Sequence, residues 1–185
     1  MSDSREFDLR EDIYPHINAE FFVWLLYRSE IGEDTEIIRS EDLGDIELII
    51  QDRLSFKDPQ QEKDRAVISG EDAPNSAETK AALVSGKTLQ DVKLMFRMAQ
   101  ATYLLTLKGD YLDISGLKQL TSEMDQIQME DDDSREAMLL LRMQEYEDIW
   151  GVVGQLFREF VVERTKDSWY TETLQEMRKW VHDLD

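Results

Sequence analysis

Residues 86–118 read GKTLQDVKLMFRMAQATYLLTLKGDYLDISGLK. Val92, Leu94, Phe96 and Met98 alternate with Lys93, Met95 and Arg97, and Tyr103, Leu105 and Leu107 alternate with Leu104, Thr106 and Lys108. A period of two matches the pleat of a strand, so the pattern predicts two antiparallel strands that reverse near Gln100 and Ala101. Alternation places Lys93 and Arg97 on one face, opposite Val92, Leu94 and Phe96. Lys108-Gly109-Asp110 then reads as a tight turn into Tyr111, Leu112 and Ile114.

Upstream, Asn75 is placed to cap a short helix, with Glu78 three residues on as in a capping box. Ala81, Ala82 and Leu83 give it a small apolar face, and Gly86 ends it. Ala66 to Ser69 is a short strand closed by Gly70, and Lys57 to Asp64 is a turn. Ile46, Leu48 and Ile50 with Leu54 and Phe56 form either a strand pair or one long bent strand. Before them, INAEFFVWLLYRSE, residues 17–30, is apolar nearly all round. A helix with no wet face belongs in the middle of the fold, and Gly32 is placed to stop it.

Downstream, Thr121 to Asp133 is polar and acidic and reads as a linker ahead of a long helix starting near Ser134, whose N-terminal end the last acids favour. Leu140, Leu141, Ile149, Trp150, Val152, Val153, Leu156, Phe157, Phe160 and Val161 recur at helical spacing, and Gly151 and Gly154 permit a kink or a close approach. Ser168 is placed to cap a last helix carrying Trp169, Leu174, Met177, Trp180, Val181 and Leu184 on one face. The expected fold is therefore α+β: an antiparallel sheet on a central N-terminal helix, with a C-terminal helical pair as a further layer. Residues 1–120 form the α+β domain, 121–133 the linker and 134–185 the helical segment. The long apolar stripe, which includes Trp150, Phe157 and Phe160, predicts a homo-oligomer unless the last helix covers it.

Charge is distributed unevenly. The 185 residues hold 21 Lys and Arg against 41 Asp and Glu, a net charge of -20. Residues 79–122 nevertheless carry six bases and three acids, whereas 1–78 carry eight and 21, and 123–185 carry seven and 17. A polyanion would meet this middle segment, because acidic surface repels it elsewhere. Zero cysteines exclude disulfides and thiolate metal sites and fit a reducing, cytoplasmic setting. The start MSDSREFDLREDIY lacks the basic-then-apolar order of a signal peptide, and the longest apolar run, Phe21 to Tyr27, is too short to cross a bilayer. No membrane partner is expected.

Residues 86–118, with the short helix around Ala77 to Val84 before them, resemble the C-terminal part of the bacterial recombination-associated RdgC family. In that family, similarly, a helix ends in a Gly-Lys pair, a lysine-bearing strand follows, and a second strand runs through an acidic turn to a leucine and lysine segment. The resemblance extends over residues 46–118 and includes no catalytic signature. It implies a non-enzymatic DNA-binding protein connected with recombination, from a family whose members form ring-shaped dimers and modulate recombinase loading. Lys87 after Gly86, Lys93 in the first strand and Lys118 at the end match the pattern and are implied to contact phosphate. Lys108 and Arg97 join them by position. Such point charges set register on DNA without reading bases.

Catalytic arrangements are lacking. His16 and His182 lie at opposite ends in no metal-ligand spacing, Asp131 to Asp133 lacks the glycine and spacing of a calcium loop, and no phosphate-binding glycine loop or nucleophile elbow occurs. Asp45, Glu47 and Asp52 invite comparison with nuclease carboxylates, but no Glu-x-Lys follows on a neighbouring strand. No enzyme activity, metal or cofactor is expected. The competing reading is an acidic interaction module, a DNA mimic or adaptor that captures a basic protein partner through its negatively charged flanks.

Overall fold

The computed structural model describes residues 14–31, 36–40, 43–59, 65–70, 72–98, 101–109, 111–120 and 132–183. Among these residues, four helices and six strands build an α+β fold: α1 (Tyr14–Ile31), β1 (Glu36–Ser40), β2 (Gly44–Lys57), β3 (Arg65–Ser69), α2 (Ala77–Val84), β4 (Thr88–Arg97), β5 (Thr102–Lys108), β6 (Ile114–Gln119), α3 (Asp132–Arg164) and α4 (Leu174–His182). The strands pair antiparallel in the order β1-β2-β4-β5-β6. Of the two readings open for residues 46–56, the single long strand holds. β2 is long enough to take β1 against its first half and β3 against its second along the same edge. A bulge between Ile50 and Leu54 bends it where the two edge partners change over.

Alternation decides what faces inward. Ile46, Leu48, Leu54, Phe56, Leu89, Val92, Leu94, Phe96, Tyr103, Leu105, Leu107 and Ile114 are all buried on one side of the sheet. Helix α1 lies against that side, and Phe21, Phe22, Trp24, Leu25 and Leu26 are fully buried because α3 and α4 close over its other side. The second contact is aromatic. Phe21 meets Phe157 edge-on at 5.2 Å and Phe160 at 5.5 Å, while Trp24 meets Phe160 at 5.5 Å. Polar contacts lock the layers: Trp24 Nε1 donates to Glu163 Oε2 at 3.1 Å, Tyr27 Oη to Glu176 Oε2 at 3.0 Å, and Arg164 pairs with Glu20 at 2.6 Å.

Three local expectations shift. The cap of α2 is Ser76, whose Oγ accepts from Thr79 N at 3.2 Å, because Ala73–Asn75 forms a 3-10 turn that delays the helix past Asn75. Gly86 ends α2 as expected, with φ +84 and the Lys87 N to Ala82 O bond of a Schellman turn. Ser168 is no cap either: it has helical backbone angles and precedes a π-helical turn, Trp169–Thr173, that leads straight into α4. That wide turn lets Trp169 reach Phe160, 5.8 Å away edge-on. Helix α3 begins two residues before Ser134, and added Cβ atoms at Gly151 and Gly154 would meet nothing within 4 Å, so neither glycine serves a close approach. The linker expected at 121–133 lies outside the described residues but for its last two.

The apolar stripe of α3 has two fates. Phe160 is buried and Phe157 half-buried, both against α1, so they are covered within one chain and cannot drive self-association. Trp150 remains 45% exposed.

Candidate nucleic-acid interface

All described helices lie on one face of the sheet, and among the described residues none packs on the other. Ile49, Met95 and Leu104 on that open face stand outside the core cluster. Reading the register across the strands gives rows of neighbours. Ile49, Met95, Leu104 and Lys118 form one row, and Glu47, Arg97 and Thr102 the next. In the other direction Lys93, Thr106 and Ser115 share a row, followed by Val67, Ser55, Asp91 and Lys108, then Arg65, Lys57 and Thr88. Arg39 sits opposite Asp45 at the far edge, and Arg53 opposite Ser69.

The charge pattern follows from this parity. Eight bases (Arg39, Arg53, Lys57, Arg65, Lys93, Arg97, Lys108, Lys118) stand against three acids (Asp45, Glu47, Asp91) at paired positions on the open face. The chain as a whole is at -20, so its charge is strongly polarised between this face and the remainder. Arg97 shares its charge with Glu47 through an ion pair, though its side chain stays 53% exposed.

Near the centre is a depression of about 340 Å³ lined by Arg53, Ser55, Val67, Asp91, Lys93 and Thr106. Two cations and two hydroxyls converge there, a donor set suited to a phosphate group, with the Asp91 carboxylate opposing it on one side. Lys93 and Arg97 are four residues apart on one strand, about 13 Å, and Lys118 lies two strands across from Met95, about 10 Å. The aromatic side chains of the strands, Phe56, Phe96 and Tyr103, point into the core. Nucleic-acid bases therefore find no stacking platform on the strands, and phosphate is the group this face can hold.

Of the five residues singled out from the sequence, Lys93, Arg97, Lys108 and Lys118 come together on this face. Lys87 does not. It follows the α2 turn on the helical side, beside a cleft of about 430 Å³ floored by Val23, Leu83, Leu89 and Val181. His182 borders the same cleft, and the His16 side chain lies outside the described residues. Arg53, Lys57 and Arg65 escape a reading by composition because they belong to an acidic stretch of sequence. The signal that identifies them is parity: each alternates with Leu54, Phe56 or Ala66, which face the core.

Among the described residues no group of three or more His, Asp or Glu side chains is placed to hold a metal ion, and no helix is long and apolar enough to cross a membrane. No protein-family model, curated protein or solved structure matches the chain.

Proposed function

We propose that the chain is a non-enzymatic DNA-binding protein that holds the phosphate backbone on the open face of its sheet without reading base sequence. The observation that carries this reading is the gathering of eight bases from six strands onto one face of a protein of net charge -20. The resemblance of residues 86–118 to the RdgC family supports the same reading, with a role in recombination or replication. Binding is driven by counterion release, so affinity is modest and falls steeply with salt, the more so because the acidic remainder of the surface repels the same polyanion.

The test is a fluorescence-anisotropy titration of single- and double-stranded oligonucleotides at low and moderate salt. Lys93→Glu/Arg97→Glu/Lys118→Glu weakens binding and makes the dependence of log K on log salt shallower, by about 0.7 to 0.9 for each phosphate that is no longer neutralised. Lys87→Glu, on the helical side, leaves it unchanged. A folded triple variant of wild-type affinity rejects the assignment of the face, and absence of binding by the wild type at low salt rejects the function.

The polarised charge also favours a second reading, in which the acidic helical side captures a basic protein. Glu136, Glu147 and Glu172 are exposed on α3 and on the turn that leads into α4. This reading expects no DNA binding at any ordinary salt concentration, and loss of the partner when these acids are reversed.

A further inference from the structure

The stripe of α3 that packs on α1 continues beyond it. Val153, Phe157 and Phe160 meet the core, and counting back from Val153 in steps of three, four, three and four reaches Trp150, Tyr146, Met143 and Leu139. That is unbroken heptad spacing. The four outer residues are 45%, 44%, 54% and 60% exposed, and at every position from 135 to 148 the side chain is exposed or only half-buried. A helical segment of this length gains little from its own hydrogen bonds in water, and its apolar side chains need a cover.

We infer that this segment pairs with the same segment of a second copy, antiparallel, about a two-fold axis passing between Met143 and Tyr146. The spacing 139-143-146-150 reads the same in both directions, so one stripe is complementary to itself under such an axis. Antiparallel pairing sets Leu139 against the partner copy's Trp150 and Met143 against its Tyr146, matching a smaller side chain to a larger one in each layer. Parallel pairing stacks Trp150 on Trp150 and leaves Leu139 facing Leu139, with one layer overfilled and one underfilled. It also sets two globular bodies, each of net charge -20, side by side, whereas the antiparallel arrangement sends them to opposite ends. Parallel pairing would add an exposed ion pair between Arg142 of one copy and Glu147 of the other, and exposed ion pairs contribute little. The interface lies on α3, away from the open sheet face, so it stands or falls independently of DNA binding.

The experiment joins sedimentation of the full chain at micromolar concentration with a distance measurement. The expected species is a dimer of the 21.7 kDa chain, and Met143→Glu/Trp150→Glu sediments as a monomer while its near-ultraviolet circular dichroism stays that of a folded core. Because the chain lacks cysteine, Ala137→Cys carries a single spin label. Antiparallel pairing separates two such labels by 15 residues of helical rise, about 22 Å along the axis, whereas parallel pairing separates them only by the interhelical distance of about 10 Å. A monomeric wild type, or a dimer that persists in the double Glu variant, overturns the inference. A label separation near 10 Å overturns the antiparallel arrangement.

Discussion

Phe160 is the side chain on which the helical layers converge. It contacts Phe21, Trp24, Phe157 and Trp169 at ring separations between 5.5 and 6.0 Å and is fully buried. Phe160→Ala leaves a cavity walled by rings that cannot collapse together, and should cost about 3 to 5 kcal/mol in chemical denaturation. A loss below 1 kcal/mol would contradict this packing. Two buried tyrosines make stability depend on alkaline pH. Burial, with the Glu176 carboxylate as hydrogen-bond acceptor and neighbouring charge, pushes the Tyr27 hydroxyl up to about 12, and burial with Glu145 and Asp148 does the same for Tyr103. Both therefore hold their protons in the folded chain where the unfolded chain, ionising near 10, has begun to lose them. Their contribution is fully present below pH 10 and is lost as pH rises from 10 towards 12. Absorbance titration of the phenolates should show a late phase that Tyr27→Phe/Tyr103→Phe removes, and the same double variant should flatten the alkaline fall in stability. A late phase that the double variant leaves unchanged would contradict the burial.

At the level of helices and strands, the connection between β5 and β6 depends on a close approach. A Cβ added at Gly109 would lie 2.9 Å from the Gln90 carbonyl oxygen and 3.1 Å from the Phe22 ring, and Asn18 Nδ2 donates to the Gly109 oxygen at 2.6 Å. This turn thus ties α1 to the sheet. Gly109→Ala should cost about 1 to 3 kcal/mol, since the backbone oxygen cannot yield without disturbing β4. Ser76→Ala should cost about 1 kcal/mol through loss of the α2 cap, while Asn75→Ala leaves that cap intact. Equal losses in the two variants, measured by urea denaturation, would contradict the placement of the cap at Ser76.

Across the molecule the division of labour is between two sides of one sheet. The inner side holds the core and the helices, and the outer side holds a cation-rich face crossed by the apolar row of Ile49, Met95 and Leu104. Substitutions on the outer face open no cavity, so Lys93→Glu, Arg97→Glu and Lys118→Glu should leave the melting transition nearly unchanged while acting on DNA affinity. A triple variant that unfolds at lower denaturant would show that these residues stabilise the fold instead.

Much of this architecture is local and was therefore legible. The alternation of Val92, Leu94 and Phe96 with Lys93 and Arg97 depends on neighbours two residues apart. The apolar surround of residues 17–30 and the glycine stop at Gly86 likewise depend on short spans. Each rests on backbone geometry that every strand or helix shares, so the strands around residues 86–118, the buried first helix and the α+β class could be read directly. The start of α2 and the path through Ser168 could not. There a 3-10 turn and the reach of Trp169 towards Phe160 outweigh capping preferences of about 1 kcal/mol. The candidate interface was legible only in part, for a similar reason. Lys93 and Arg97 share a face by parity within one strand, but Arg53 and Arg65 join them, and Lys87 leaves them, through the pairing of β2 with β3 and β4 and the turn after α2. Register between strands distant in sequence is set by which apolar sets can be buried together against α1, and that choice belongs to the folded core as a whole.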